Sequence, residues 1–356
     1  MPRRLAALAL VALGVFARPA AAFYPEPGFY WNSAESGTGW AIELQDNFLF
    51  LSAYTYLPNG QAVFYTSGGF LTNDTTYSGV INQFSGGSCI TCTPFTPPGA
   101  GQNVGTVSIV FDTEQSANMT WNGRTFRIER FNFLLGDKTE QMQGEWTMFL
   151  DFYNLSADYR DYPFYGDLVI FDSIDRSTDP DFYDGCRPVN AEQRCTTAAI
   201  ANHDASGFYN NTTGEQTFLV TDTAGSGNTP DTYFAYYSAR ASTGLNQLEG
   251  VFEICNAGAC GSATASYYPM RGFRSASKRY VQTGVGPNVA AGKASSGSAI
   301  EHPSAGLAEQ LAQRGVLPRG LSAAEVEARY GFDPRVTARD ANLLIARRIA
   351  KRGIAQ

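Results

Sequence analysis

From Gly39 to Met270 the chain is a succession of short apolar runs cut by turn residues, a punctuation that suits antiparallel strands and leaves no room for a helical core. Trp40–Gln45, Asn47–Tyr56, Gln61–Phe70, Thr76–Phe84, Gly105–Asp112, Ala117–Trp121 and Thr125–Phe133 read as a first set of strands, with Pro58-Asn59-Gly60 and Asn122-Gly123 among the joins. Asn-Gly is a strong hairpin signal, because both turn residues take positive φ. Phe48 to Tyr54 is apolar at nearly every position. Such a run should lie centrally, one face in a core and the other covered. A second set follows: Trp146–Phe152, Tyr165–Phe171, Gly207–Tyr209, Gln216–Thr221, Thr232–Ser238, Leu248–Ile254 and Ala265–Met270. The fold class expected is mainly β, in antiparallel meander units resembling a barrel or sandwich, with a helical C-terminal appendix. Composition agrees: 13% aromatic, only 17% charged, and 36 glycines in 356 residues belong to turn-rich β proteins rather than to bundles or disordered chains.

The two ends differ from this body. Arg3 and Arg4, an apolar run from Leu5 to Phe16, and Ala20-Ala21-Ala22 form the pattern of a signal peptide cleaved after Ala22. The run is too short to span about 30 Å of hydrocarbon. Past Val281 the composition turns to Gly, Ser, Ala and Pro, a flexible linker over 282–303, and then to helical signals over 304–356. Ser322 with Glu325 and Thr337 with Asp340 have capping-box spacing. Ala338, Ala341, Leu344, Ile345 and Ile349 share one stripe, flanked by Arg347, Arg348, Lys351 and Arg352. The organisation read is a leader at 1–22, β units at 23–138 and 139–281, the linker, and the helical segment. Charge separates them: residues 23–286 hold 13 Lys and Arg against 27 Asp and Glu, and residues 287–356 hold 10 against 6. The opposite signs suggest that the tail docks on the body. An acidic chain of net charge −7 lacks the basic footprint of a nucleic-acid binder.

Cysteine usage points to export. Cys89 with Cys92, Cys186 with Cys195, and Cys255 with Cys260 are close in sequence, as expected of local disulfides in an oxidising compartment, periplasmic or extracellular. Cys89-Ile90-Thr91-Cys92 also has the spacing of a thiol oxidoreductase, but its Gly-, Ser- and Pro-rich surroundings read as a stapled loop.

Two internal echoes stand out. Gly28-Phe29-Tyr30-Trp31-Asn32 returns as Gly207-Phe208-Tyr209-Asn210-Asn211, and Leu49–Gly69 loosely as Tyr233–Gly250. Either the chain is internally duplicated or two aromatic meanders merely look alike. The stretch from Gly28 to Trp40, with Glu35-Ser36-Gly37-Thr38-Gly39, leads into the hairpin Tyr54–Tyr65. It resembles a G-x-W-W-N-x-x-E-S-G-x-G motif followed by an aromatic hairpin, found in exported and mostly uncharacterised proteins of Gram-negative bacteria. Tyr30 and Phe64 stand where that pattern usually has Trp. The resemblance covers residues 28 to about 135 and implies a β fold, with no catalytic residues to carry over.

The candidate ligand-binding residues are Trp31, Trp40, Tyr54, Tyr56, Phe64 and Tyr65, since binding sites are mostly apolar with a few polar groups; the same rings would equally serve as core. Asp172, Asp175, Asp179, Asp181 and Asp184 form a candidate calcium loop, because carboxylates packed so closely repel unless a cation sits among them. A solvated loop pinned by Cys186 and Cys195 is the other reading. His203 with Asp204 is a candidate base with a neighbouring carboxylate, without a nucleophile elbow. The function expected is an exported binding or surface-interaction module for a glycan or small apolar ligand. The alternative is a hydrolase of extracellular or cell-wall polysaccharide, which needs two carboxylates about 5–9.5 Å apart.

Overall fold

A computed structural model describes residues 24–133, 135–150, 166–186, 205–221, 234–240, 246–255, 259–283 and 319–352. The leader, residues 284–303 of the proposed linker, Cys195, His203 and Asp204 lie outside these residues; Gln282 and Thr283, read as the start of the linker, end a helix instead. The described chain forms two closed antiparallel barrels of eight strands each. The first runs through β1 (Gly28–Trp31), β2 (Gly39–Gln45), β3 (Phe48–Tyr56), β4 (Ala62–Phe70), β5 (Thr76–Gln83), β6 (Gln102–Thr113), β7 (Ser116–Trp121) and β8 (Arg124–Arg130). It closes when Tyr30 pairs with Arg130 and Trp31 with Glu129. The second comprises β9 (Gly144–Leu150), β10 (Gly166–Asp175), β11 (Phe182–Cys186), β12 (Ala205–Asn210), β13 (Glu215–Thr221), β14 (Phe234–Arg240), β15 (Gln247–Cys255) and β16 (Tyr268–Ser277), closed by β16 on β9. Asn122 and Gly123 both have positive φ, so the hairpin between β7 and β8 turns as the dipeptide predicts.

Alternation fills both barrels. In the first, Ile42, Leu49, Leu51, Tyr77, Ile109, Met119 and Ile128 are buried in one cluster. In the second, Trp146, Met148, Phe171, Tyr183, Phe218 and Phe252 form the interior. A 3₁₀ turn, Glu140–Met142, adds the fully buried Met142 to that core, and its carbonyl accepts the Trp146 indole N–H at 2.8 Å. Both barrels therefore have solid centres.

Among the described residues three helices accompany the barrels: α1 (Lys278–Thr283), α2 (Ala323–Tyr330) and α3 (Pro334–Arg352). The Ser322–Glu325 capping box forms as expected. Thr337 does not cap a helix. α3 starts a turn earlier, with Pro334 at its first position, where a missing N–H costs nothing, and the Thr337 hydroxyl is buried, donating to the Pro334 carbonyl at 2.7 Å. The stripe Ala338, Ala341, Leu344 and Ile345 is buried against Phe182, Phe208, Leu219, Val251 and Tyr267 on the outside of the second barrel. The expected C-terminal helical appendix is thus present, and its described part, residues 319–352, docks on the acidic second barrel.

The two internal echoes land on corresponding strands. Followed around its ring from β12, the second barrel runs β12 to β16 and then β9 to β11, matching β1 to β8 of the first. Phe29 is opposite Ala41, which is opposite Ser52; Phe208 is opposite Thr217, which is opposite Ser238. Aligned by that echo, the second barrel begins in chain order at the strand that corresponds to β6 of the first.

Candidate functional site

The end of the first barrel that carries the aromatic motif opens into a cavity of about 150 Å³, lined by Glu35, Thr38, Trp40, Ala53, Thr55, Trp121, Arg124 and Phe126. The start of β2, the end of β3, and the β7–β8 hairpin bring these residues together. Trp40 and Phe126 lie 5.3 Å apart between ring centroids, and Tyr65 meets Trp121 edge-on at 5.8 Å. Arg124 closes one side of the rim, its guanidinium 5.5 Å from the Phe126 ring and paired with the Glu35 carboxylate. The result is an aromatic bowl with one ion pair, two threonine hydroxyls and an open top.

Aromatic residues continue down the outside from this rim. Tyr54 and Phe64 face each other across β3 and β4 and are each 50% exposed; Tyr56 is 57% exposed. Phe29 stacks on Tyr54 at 6.4 Å, although β2 runs between their strands. The glycine at position 39 makes that possible: the Phe29 ring lies flat over it, and a β-carbon there would overlap the ring. This is the physical content of the third glycine in the motif. A Gly39→Ala chain should be less stable by about 1–3 kcal/mol, the usual penalty for overpacking, with a changed near-ultraviolet circular dichroism spectrum as Phe29 is displaced from Tyr54. An unchanged spectrum and stability would show that the ring contact is not held by Gly39.

The six expected ligand residues therefore separate into two groups. Trp40 lines the bowl, and Tyr65 backs it through its contact with Trp121. Trp31, Tyr54, Tyr56 and Phe64 belong to the outer wall, Trp31 packing edge-on to Phe131 at 5.0 Å. Sequence reasoning missed Trp121, Arg124 and Phe126. Their signal was the Asn122-Gly123 turn, which places all three at one barrel end. A correction concerns Phe48 to Tyr54, expected to be covered on both faces: Phe48 is 38% and Phe50 44% exposed, and no described residue covers them.

The acidic cluster is built differently from the calcium loop expected. It straddles two strands rather than one loop, and arginines stand where a metal ion was expected. Arg347 of α3 reaches both carboxylate oxygens of Asp184 at 2.6 and 3.0 Å, Asp175 at 2.7 Å and the Ser206 hydroxyl at 2.7 Å. Its guanidinium also lies 4.1 Å from the Phe182 ring centroid. Arg176 pairs with Asp181, Asp137 and Glu140. Asp172 sits at the bulge of β10, and Asp179 precedes Pro180 in the turn to β11. Among the described residues no group of three or more His, Cys, Asp or Glu side chains is gathered to hold a metal.

Cys89–Cys92 and Cys255–Cys260 are disulfide-bonded. Cys186 is disulfide-bonded as well, although Cys195 lies outside the described residues. None of the described helices is long and apolar enough to cross a membrane.

A wider groove of about 530 Å³ lies between the barrels, lined by Tyr24, Asp74 and Glu114 on one side and by Phe149, Glu249, Arg271 and Phe273 on the other. Beside it the Glu26 carboxyl is buried at 5% exposure, with one oxygen lacking a hydrogen-bond partner. Burial pushes its pKa up to about 7; Arg130 opposes this and Glu114 adds to it. Arg274 is half-buried, and its desolvation lowers its pKa to about 10. It stacks on Trp146 at 4.3 Å and donates to the Gln141 and Gln143 carbonyls.

Comparison of the chain with protein-family models, with curated proteins and with solved structures finds no match.

Proposed function

We propose that the protein is an exported binding module that takes a glycan at the open end of its first barrel. The observation that carries this reading is the bowl of Trp40, Trp121 and Phe126 opening beneath the Glu35–Arg124 pair, continuous with the exposed Tyr54, Tyr56 and Phe64. Sugar rings present apolar C–H faces that stack on aromatic rings, and hydroxyls that bond to carboxylate, guanidinium and threonine. A cavity of this volume suits one six-membered ring, since about 150 Å³ of apolar space is enough for benzene. A longer saccharide would continue over the outer tyrosines. The solid barrel interiors favour a site at the rim over one in the lumen. Export is supported by the leader pattern and by disulfides, which persist in oxidising compartments.

Isothermal titration against a panel of bacterial and host oligosaccharides tests the proposal. A sugar that binds should lose at least tenfold in affinity with Trp121→Ala and severalfold with Tyr56→Ala. Binding only of apolar molecules such as short fatty acids would move the site to the small-ligand reading, and no binding at all would remove it.

The hydrolase reading is favoured by one feature, the groove between the barrels, which brings Asp74, Glu114 and Glu249 to its walls. The open bowl offers a single carboxylate. Turnover of a polysaccharide, abolished by Glu114→Gln but retained with Trp121→Ala, would support that alternative.

A further inference from the structure

The outer wall of the first barrel has a counterpart whose occupant is visible. Because β1 to β8 correspond to β12 to β16 and β9 to β11, each outward residue can be matched by register. Phe29 matches Phe208, and Phe131, which bonds to the Phe29 carbonyl at 2.7 Å, matches Phe182 opposite Phe208. Both pairs meet edge to face, at 6.2 and 5.4 Å. Further along the wall, Phe50 matches Tyr236, and Val80 matches Tyr267. In the second barrel Phe182, Phe208, Leu219 and Tyr267 of this wall are buried against α2 and α3. In the first no described helix lies over it, and Phe50 and Val80 are at 44% and 46% exposure.

We propose that the outer wall of β1, β2, β3 and β8 is a seat for an amphipathic α-helix of a partner protein, carrying an aliphatic stripe and a lysine or arginine placed to meet Glu43. Two observations select this occupant. The wall repeats, strand for strand, one that seats a helix in the same molecule. Glu43 occupies the position of Leu219, which is 1% exposed beneath the helices. Glu43 itself is exposed and makes no ion pair among the described residues. Covering a carboxylate without a counter-charge is costly, so the arriving helix must bring a cation to that point. The chain's own α3 is addressed elsewhere. Its Arg347 needs Asp184, and the matching position in the first barrel is Phe133, 70% exposed and 4.6 Å from Phe131. The seat does not include the sugar bowl or depend on it, and it meets the path of a longer saccharide only at the Tyr54 and Tyr56 end of β3.

A labelled synthetic peptide of residues 319–352 carrying Arg347→Leu serves as the probe: it keeps the apolar stripe and other cations but lacks the group that addresses the second barrel. Fluorescence anisotropy with the full chain should give saturable binding, weakened at least tenfold by Phe50→Ser and by Glu43→Lys in the protein, both exposed positions, and unchanged by Trp121→Ala. Absence of binding would overturn the proposal, as would binding indifferent to Phe50→Ser and Glu43→Lys. A dimer of the full chain that Phe50→Ser dissolves, without peptide binding, would assign the wall to a second copy and overturn it equally.

Discussion

Replacing Arg347 with methionine should destabilise the second barrel and its helical layer by about 3–5 kcal/mol, the usual cost of removing one partner from a buried charge cluster. Asp175 and Asp184 would be left facing each other, with side chains only 27% and 13% exposed, and the contact over Phe182 would be lost too. Urea unfolding followed by far-ultraviolet circular dichroism measures the loss, and hydrogen exchange should report early opening of α2 and α3. Adding Asp184→Asn to the Arg347→Met chain should recover much of it. The pH dependence has a definite sign. The Ser177 hydroxyl and Arg347 hold the Asp175 carboxyl well below its ordinary range. Stability from that pairing is therefore complete above about pH 4 and fades as the pH falls through the lowered value. An Arg347→Met chain that keeps its stability to within 1 kcal/mol would mean that apolar packing alone seats the helices.

The second large effect is expected at Glu26 and has the opposite sign. A carboxyl whose pKa is raised by burial to about 7 binds its proton more tightly in the folded chain than in the unfolded one. The folded state is therefore favoured at low pH and loses stability as pH rises from about 4.5 to 7. A shift of this size corresponds to about 3 kcal/mol once the group is fully ionised. Glu26→Gln mimics the protonated form and should remove that penalty. At pH 8 it should be the more stable chain by about 2–3 kcal/mol, and at pH 4.5 the two should agree. Unfolding free energies measured across this range decide the matter; parallel curves for the two chains would show that Glu26 is not the titrating group.

Local chemistry made most of the first barrel readable. The alternation along Arg124 to Arg130, the Asn122-Gly123 turn and the apolar runs of β2 to β5 each carry their own signal, and these strands formed as expected. β11 was hidden. Phe182-Tyr183-Asp184-Gly185-Cys186 alternates outward and inward, but its outward aspartate exists to receive Arg347, 163 positions later. Read without that partner it is an acidic loop. Thr337 is a related case: its spacing to Asp340 imitates a cap, while the helix begins at Pro334, whose carbonyl the Thr337 hydroxyl bonds.

The candidate site was half legible. Glu35, Gly39, Trp40, Tyr54 and Tyr65 fall within the recognisable aromatic motif, so their grouping was visible. Trp121, Arg124 and Phe126 are distant in sequence and arrive only because β8 closes on β1. The exposure of Phe48 and Phe50 was also beyond local reading, since an apolar run does not state whether its second face is covered.

The central claim, that the open end of the first barrel binds a sugar, can be tested most directly through the four tryptophans. Trp31, Trp40 and Trp121 belong to the first barrel, whereas Trp146 is buried inside the second. In a Trp146→Phe chain, emission should shift and quench saturably as a bound oligosaccharide is titrated, and the response should collapse when Trp121→Ala is added. Emission that stays constant across the oligosaccharide panel, or a shift that survives the loss of Trp121, would contradict the account.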